Sequence, residues 1–271
     1  MPELPEVETV RRVLDKSLIN LKITDVVIRH DNIVSDDSNE FKHNVIGSTI
    51  IGTARLGKCL IFKLDNGNII SHLRMEGKYF YLPKDSLDNK HIHLIFYLSN
   101  GYMLAYQDVR KFGKICYRSE NDLYTTEPLN NVGEDPILNE SIDIDKLYKK
   151  IHSRHIPIKT TLLDQSILAG LGNIYVDEVL FIVGINPHKE SNLISRDEVS
   201  KIVYESREIF KRAIENKGTT IRSYTSSLGI TGNYQNYLLV HTKEVCPKCG
   251  EPLIKDRVGG RGTYYCKNCQ R

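Results

Sequence analysis

Cys59-Leu60-Ile61-Phe62-Lys63-Leu64-Asp65-Asn66-Gly67-Asn68-Ile69-Ile70-Ser71-His72-Leu73 sets two short, mainly apolar runs on either side of a polar turn. Such runs suit strands, and the Asn-Gly pair between them tolerates the positive φ that a tight hairpin needs. The same pattern extends in both directions. Lys22 to Ile28, Ile92 to Leu98 and Tyr102 to Tyr106 read as further strands, with Ser99-Asn100-Gly101 turning the last two into a hairpin. From Leu21 to about Arg118 the expectation is an antiparallel β-sandwich or barrel. Polar stretches at Asp31 to Glu40 and Ser119 to Pro136 interrupt it, the second with the character of a domain linker.

Ahead of the strands stands Met1-Pro2-Glu3-Leu4-Pro5-Glu6. Pro5 suits a first helical turn, Glu6 and Glu8 lie near the positive end of the helix dipole, and Arg11, Arg12 and Lys16 lie toward its negative end. Val7, Val10 and Leu14 share one helical face, so the helix can bury that face and hold a terminus that would otherwise fray. A Met before a small residue is a substrate for removal, which would leave a free prolyl amine. An α-amino group titrates near ~8, so part of it is a neutral nucleophile at physiological pH. Such an amine can attack a sugar carbon and form an iminium. Taken alone, the hexapeptide fits equally a plain helix start with a solvated Glu3.

Beyond the second polar stretch the period becomes helical, with helices expected at about 142–153, 159–169, 173–183 and 196–217. Ser195 and Glu198 form the signature of a capping box for the last one, and Gly218 is its stop. Residues 218–232 are rich in Thr, Ser and Gly and read as a loop of the length that binding lids have.

Cys246-x-x-Cys249 and Cys266-x-x-Cys269, sixteen residues apart, match the spacing of a four-thiolate zinc site. Four sulfur ligands leave no position for water, so the ion has a structural role. Between the pairs, Val258-Gly259-Gly260-Arg261-Gly262-Thr263 reads as a hairpin tip that presents one arginine, either to a phosphate or simply to solvent. Cys59 and Cys116, in apolar strand contexts, read as buried free thiols.

Composition narrows the function classes. The chain has 271 residues, 40% of them hydrophobic and 26% charged, as in ordinary globular proteins, and this length allows two domains with real cores. The start lacks a basic-then-apolar leader and no run of about 18 apolar residues occurs, which argues against export and membrane spanning and for the cytoplasm. The formal net charge is +3, yet residues 241–271 hold seven Lys and Arg against three Asp and Glu. The excess positive charge therefore sits in the cysteine-bearing tail, a pattern shared by phosphate-binding modules and by ordinary charged surfaces.

Three segments in order, Met1-Pro2-Glu3-Leu4-Pro5-Glu6-Val7-Glu8-Thr9-Val10-Arg11-Arg12, Gln165-Ser166-Ile167-Leu168-Ala169-Gly170-Leu171-Gly172-Asn173-Ile174-Tyr175-Val176-Asp177-Glu178 and the four-cysteine tail, resemble the formamidopyrimidine-DNA glycosylases over essentially the whole length. The resemblance implies an α+β multi-domain fold. An N-terminal antiparallel β-sandwich with a helix at its start (1–133) would be joined to a helical helix-two-turn-helix domain (134–240) and a zinc ribbon (241–271), with DNA held in the cleft between. It also implies excision of oxidised purines such as 8-oxoguanine from damaged double-stranded DNA by a monomer carrying one structural Zn²⁺, followed by strand cleavage at the abasic site.

By motif, the resemblance makes Pro2 the nucleophile on C1′ and Glu3 its acid/base partner. Lys58, in Arg55-Leu56-Gly57-Lys58, becomes a phosphate-binding lysine that assists catalysis. Arg261 joins this catalytic set as the ribbon arginine that clamps the lesion's backbone, where Asn173 also binds. An enzyme acting on a base must extrude it from the duplex and fill the space left behind. Met75, Arg110 and Phe112 match the family's void-filling trio. His91 and Lys159 complete the implied DNA contacts, and Thr219, Arg222 and Tyr224 are candidates to cap the everted base. Endonuclease VIII-type members, which prefer oxidised pyrimidines, typically begin Pro-Glu-Gly-Pro. Pro-Glu-Leu-Pro and the complete trio favour the purine type. A binding-only protein would have lost Pro2, Glu3 or Lys58.

Overall fold

The N-terminal segment forms α1 (Leu4–Leu18), entered through a capping box between Glu3 and Glu6. Val7, Val10, Leu14 and Leu18 are buried in the main core, each burial contributing about 1.5–3 kcal/mol. The computed structural model describes residues 2–84, 86, 89–219 and 232–271. After α1 come β1 (Ile23–Ile28), α2 (Ser38–Val45), β2 (Ile50–Leu56), β3 (Cys59–Leu64), β4 (Gly67–His72), β5 (Lys78–Pro83), β6 (Ile92–Leu98), β7 (Tyr102–Gln107) and β8 (Lys114–Arg118). The chain continues with α3 (Ile144–His152), α4 (Ile158–Leu163), α5 (Asn173–Val183), α6 (Arg196–Glu215), β9 (Ile254–Val258) and β10 (Arg261–Tyr265).

The first eight strands make two four-stranded antiparallel sheets, ordered β1-β6-β7-β5 and β2-β3-β4-β8. Alternate residues of both sheets, among them Leu60, Phe62, Leu94, Phe96 and Leu104, share a core with α1, which makes the expected sandwich. Gly67, at φ +154, follows the turn between β3 and β4, and Gly101, at φ +81, turns β6 into β7. Cys59 and Cys116 are buried and unpaired, and burial pushes their thiols up to about 12 and about 11.

Two expectations change. The polar stretch from Asp31 to Glu40 holds the start of α2, because the Asp37 carboxylate caps it by accepting the Asn39 and Glu40 amides while Phe41 and Val45 enter the core. The helix expected over 159–169 is short and stops at Leu163. Asp164 there accepts the Ser166 amide and hydroxyl, a local turn that competes with further helix.

The chain divides into two compact units with the boundary after Asn130, inside the segment 119–136, where Leu123 and Leu129 are buried. In the second unit α6 begins at the Ser195–Glu198 capping box and packs on α5. The β9–β10 hairpin closes the chain through Gly259 and Gly260, at φ +54 and +76, a turn that side-chain-bearing residues form only with strain. Among the described residues no helix is long and apolar enough to cross a membrane.

Candidate active site

Pro2 is buried, and Glu3 is only 2% exposed, so Glu3 is no solvated carboxylate at a plain helix start. The Glu3 amide donates to Glu6 Oε2 at 2.9 Å, which fixes the chain direction at the terminus. Just over one turn along α1, Glu8 accepts from Arg11 Nε and Nη2 at 2.9 Å and from Arg12 Nε at 2.8 Å. Arg55, on β2, reaches the same carboxylate at 3.3 Å. Burial works against the Glu8 charge, but the three guanidinium groups outweigh it and hold the carboxyl down to about 2.

Arg55 also donates to Gly57 O at 2.9 Å. Gly57, at φ +55, and Lys58 form the two-residue turn between β2 and β3, so Glu8 and Arg55 tie the helix that carries Pro2 and Glu3 to the turn that carries Lys58. His72, not singled out by any sequence motif, lies opposite Cys59 in the ladder. Its Nδ1 accepts the Arg74 amide at 3.0 Å. Burial, with Arg74 and Lys58 nearby, lowers its pKa to about 3. It is therefore a neutral imidazole whose proton sits on Nε2, a donor near Lys58 that carries no charge of its own.

Met75 lies in the loop 73–77, and Arg110 and Phe112 in the loop 108–113. A Cβ on Gly77 would stand 2.2 Å from the Tyr106 hydroxyl oxygen and one on Gly113 only 1.7 Å from it. Both loops thus abut one buried phenol, and two glycines permit it. Asp108, fully buried, accepts the Arg110 amide at 3.0 Å and the Gly113 amide at 2.7 Å. The Asp108 amide in turn donates to His91 O at 3.0 Å. Arg110 stacks 4.7 Å over the Phe112 ring, which is 51% exposed. An aromatic left half in water beside a guanidinium is a surface suited to bases.

In the second unit Gln165 closes the turn before α5: its Nε2 donates to Leu163 O and Leu171 O at 2.9 Å, and its Oε1 accepts the Gly170 amide at 3.0 Å. Asn173 is the first residue of α5, where helix amides are unpaired. Its Nδ2 donates to Gly262 O at 2.8 Å, bringing Asn173 to the hairpin that carries the exposed Arg261. Lys159, expected among the DNA contacts, is 0% exposed. Its ammonium donates to Asp177 Oδ1 at 2.8 Å, Gly262 O at 3.0 Å and Thr263 Oγ1 at 2.8 Å, one acceptor for each of its N–H bonds. These acceptors hold the ammonium inside the protein, beneath the hairpin that carries Arg261. Thr219 is described and buried, whereas Arg222 and Tyr224 lie outside the described residues.

The ligand atoms of Cys246, Cys249, Cys266 and Cys269 all lie within 4.8 Å of one another, with 3.8 Å between the sulfurs of Cys246 and Cys269 and 3.5 Å between those of Cys249 and Cys266. Four thiolates about 2.3 Å from a tetrahedral Zn²⁺ stand roughly 3.8 Å apart, so the cluster fits one closed zinc site. Cys246 and Cys266 pack with Phe181 and Val240, and Gln270 links the Cys266 amide to Ile185 O. Metal binding is thereby joined to the packing on α5.

Residues 1–115 match the formamidopyrimidine-DNA glycosylase N-terminal domain, 132–225 the helix-two-turn-helix domain of the same enzymes, and 243–271 a zinc finger found in these proteins and in isoleucyl-tRNA synthetases. The formamidopyrimidine-DNA glycosylase of Oceanobacillus iheyensis is 45% identical, covering 100% of this chain and 98% of its own, and that of Streptococcus mutans is 42% identical with 100% of both covered. A mutant Lactococcus lactis enzyme in complex with Fapy-dG-containing DNA superposes with a TM-score of 0.93 at 40% identity over the whole of both chains. The complex of the Lactococcus lactis protein with abasic-site DNA gives 0.92 at 40% identity over 99% of each. With all three domain models matched in chain order and relatives of this closeness along its full length, this chain belongs to the formamidopyrimidine-DNA glycosylase family.

Proposed function

We propose that this protein is a base-excision-repair glycosylase. It removes oxidised purines, 8-oxoguanine and formamidopyrimidines, from duplex DNA and then cleaves the strand at the abasic site by β,δ-elimination. The observation that carries the reading is the held amino terminus: Pro2 and Glu3 are buried at the head of a helix whose Glu8 is tied through Arg55 to the Lys58 turn. A terminal amine can act as a nucleophile only if it is kept in place, since effective attack needs the reacting atoms already aligned.

In this reading the Pro2 nitrogen, freed of Met1, attacks C1′ of the damaged nucleotide. The C1′–base bond breaks, and the base leaves with its electron pair and takes up a proton. The sugar ring opens as Glu3 protonates its oxygen, leaving an iminium between Pro2 and C1′. Loss of a C2′ proton then expels the 3′ phosphate, and a second elimination expels the 5′ phosphate. Lys58 and neutral His72 hold backbone phosphate, and Asn173 and Arg261 do so from the second unit. Met75, Arg110 and Phe112 fill the space of the extruded nucleotide and face the orphaned base, with His91 bracing the loop of Arg110 and Phe112. The zinc ion, held by the four cysteines, is a fold element and takes no part in bond chemistry.

We assign the chemistry to residues 1–133 and the grip on DNA to 134–240 and 241–271, with residues 218–232 capping the lesion. The protein works as a monomer in the bacterial cytoplasm. The abasic-site and Fapy-dG complexes of the Lactococcus lactis relative support the substrate class.

The test is borohydride trapping on a duplex with one 8-oxoguanine opposite cytosine, using the Met1-processed protein, Pro2→Gly and a Met1-retaining form. An adduct mapped to Pro2 and absent from the other two is expected. Full trapping and strand cleavage by the Met1-retaining form would refute the Pro2 mechanism, and preference for a thymine glycol duplex would refute the substrate choice.

A further inference from the structure

We propose that Lys159, Asp177 and His241 form a buried positioning triad that holds the Arg261 hairpin tip and Asn173 in one arrangement for phosphate. The inference rests on the reading above, in which Arg261 and Asn173 grip the DNA backbone.

A two-stranded ribbon such as β9–β10 is marginal by itself, so the position of its tip depends on what it docks against. The docking surface is polar and closed. Lys159, Asp177 and His241 are 0%, 1% and 7% exposed. Asp177 Oδ1 receives the Lys159 ammonium at 2.8 Å, and Asp177 Oδ2 lies 2.8 Å from His241 Nδ1 and 3.3 Å from the Tyr264 amide. Both carboxylate oxygens are thus engaged, one toward α4 and the other toward His241 and β10.

Lys159 spends its other two N–H bonds on the tip, at Gly262 O and the Thr263 hydroxyl, and that hydroxyl donates onward to Arg261 O at 3.0 Å. Asn173 meets the same Gly262 carbonyl. Close approach from the other side is set by Gly259, where a Cβ would stand 2.4 Å from Thr160 Oγ1. The backbone on both sides of Gly262 is therefore fixed, while the Arg261 side chain forms no hydrogen bond or ion pair with any described residue. A buried ion pair contributes little net stability compared with apolar packing of the same volume, but it does impose one geometry. Here that geometry is the register of the arginine with Asn173.

A positioning role predicts dependence on the residue being positioned. Binding of a duplex carrying a tetrahydrofuran abasic analogue is measured by fluorescence anisotropy for wild type, Lys159→Met, Arg261→Ala and the double variant, with bound zinc quantified in each. We expect Lys159→Met to weaken binding 10- to 100-fold with zinc retained, and to add less than 2-fold in the Arg261→Ala background. Thr263→Val, which removes only the hydroxyl link, should follow the same cycle at smaller amplitude and serves if Lys159→Met loses zinc or fails to fold. Equal losses in both backgrounds, or a wild-type affinity for Lys159→Met, would overturn the triad. Unchanged binding by Arg261→Ala alone would instead remove the reading of Arg261 on which the triad rests.

Discussion

Glu8 keeps its charge in a buried position because three guanidinium groups surround it. Its folded-state carboxyl lies at about 2 against an ordinary 4.5, so it stabilises the fold fully above pH 4.5, and that contribution disappears as the pH falls toward 2. Thermal unfolding of wild type and Glu8→Gln should accordingly show a gap in Tm that is constant near neutrality and closes between pH 4.5 and 2. A gap of the same size at both ends would mean that Glu8 acts through packing alone. The sequence marked Glu8 only as an acid in a first helical turn. It could not foretell Arg55, 47 positions away, because that pairing exists only once α1 lies on β2. The same holds for His72, whose neutrality comes from burial and from two cations that the sheet brings near it. Lys159 marks the limit of motif reading, because a motif carries no burial and cannot show the three acceptors that enclose the ammonium.

Among elements, the paired loops beside β7 show how close packing places exposed residues. Tyr106 is 0% exposed and has no room to swing away from a new methyl on Gly113. Gly113→Ala should destabilise the protein by about 1–3 kcal/mol, the cost of overpacking. It should also weaken binding to an abasic duplex, since Arg110 and Phe112 move with the loop. Adding Tyr106→Phe removes the nearest clashing atom but leaves the ring Cζ 2.8 Å from the new methyl, so it should recover part of both losses in urea unfolding and anisotropy measurements. A Gly113→Ala protein as stable as wild type would show that the close approach is not what shapes this loop. Strands β3, β6 and β7 and helices α5 and α6 were readable because period, turn glycines and caps agree locally. Helix α2 was hidden by its polar run Asp36-Asp37-Ser38-Asn39-Glu40, in which one aspartate is a cap and only Phe41 and Val45 face inward. Strands β2, β5 and β8 carry glycine or charged residues and are strands because their ladders pair them.

In the whole molecule, two units with separate cores predict separable responses to metal loss. Stripping zinc with a strong chelator should lower or abolish the calorimetric transition of the second unit, because Cys246 and Cys266 belong to the same apolar cluster as Phe181 and Val240. The transition of the N-terminal sandwich should stay within about 2 °C, since the four-cysteine cluster lies outside it. A parallel drop in both would show that the units unfold together. The sequence by itself determined the zinc site, the strand-rich and helical halves, the nucleophile candidate and the family. Each is carried by short-range spacing: cysteine pairs, turn residues, helical period and a terminal motif. Tertiary structure alone decided that Glu3 is buried, that Arg55 joins the helix of Pro2 to the turn of Lys58, that one phenol supports the loops of Met75 and Phe112, and that Lys159 is enclosed beneath the Arg261 hairpin. These depend on burial and on contacts between residues far apart in the chain, and both arise only when the cores close.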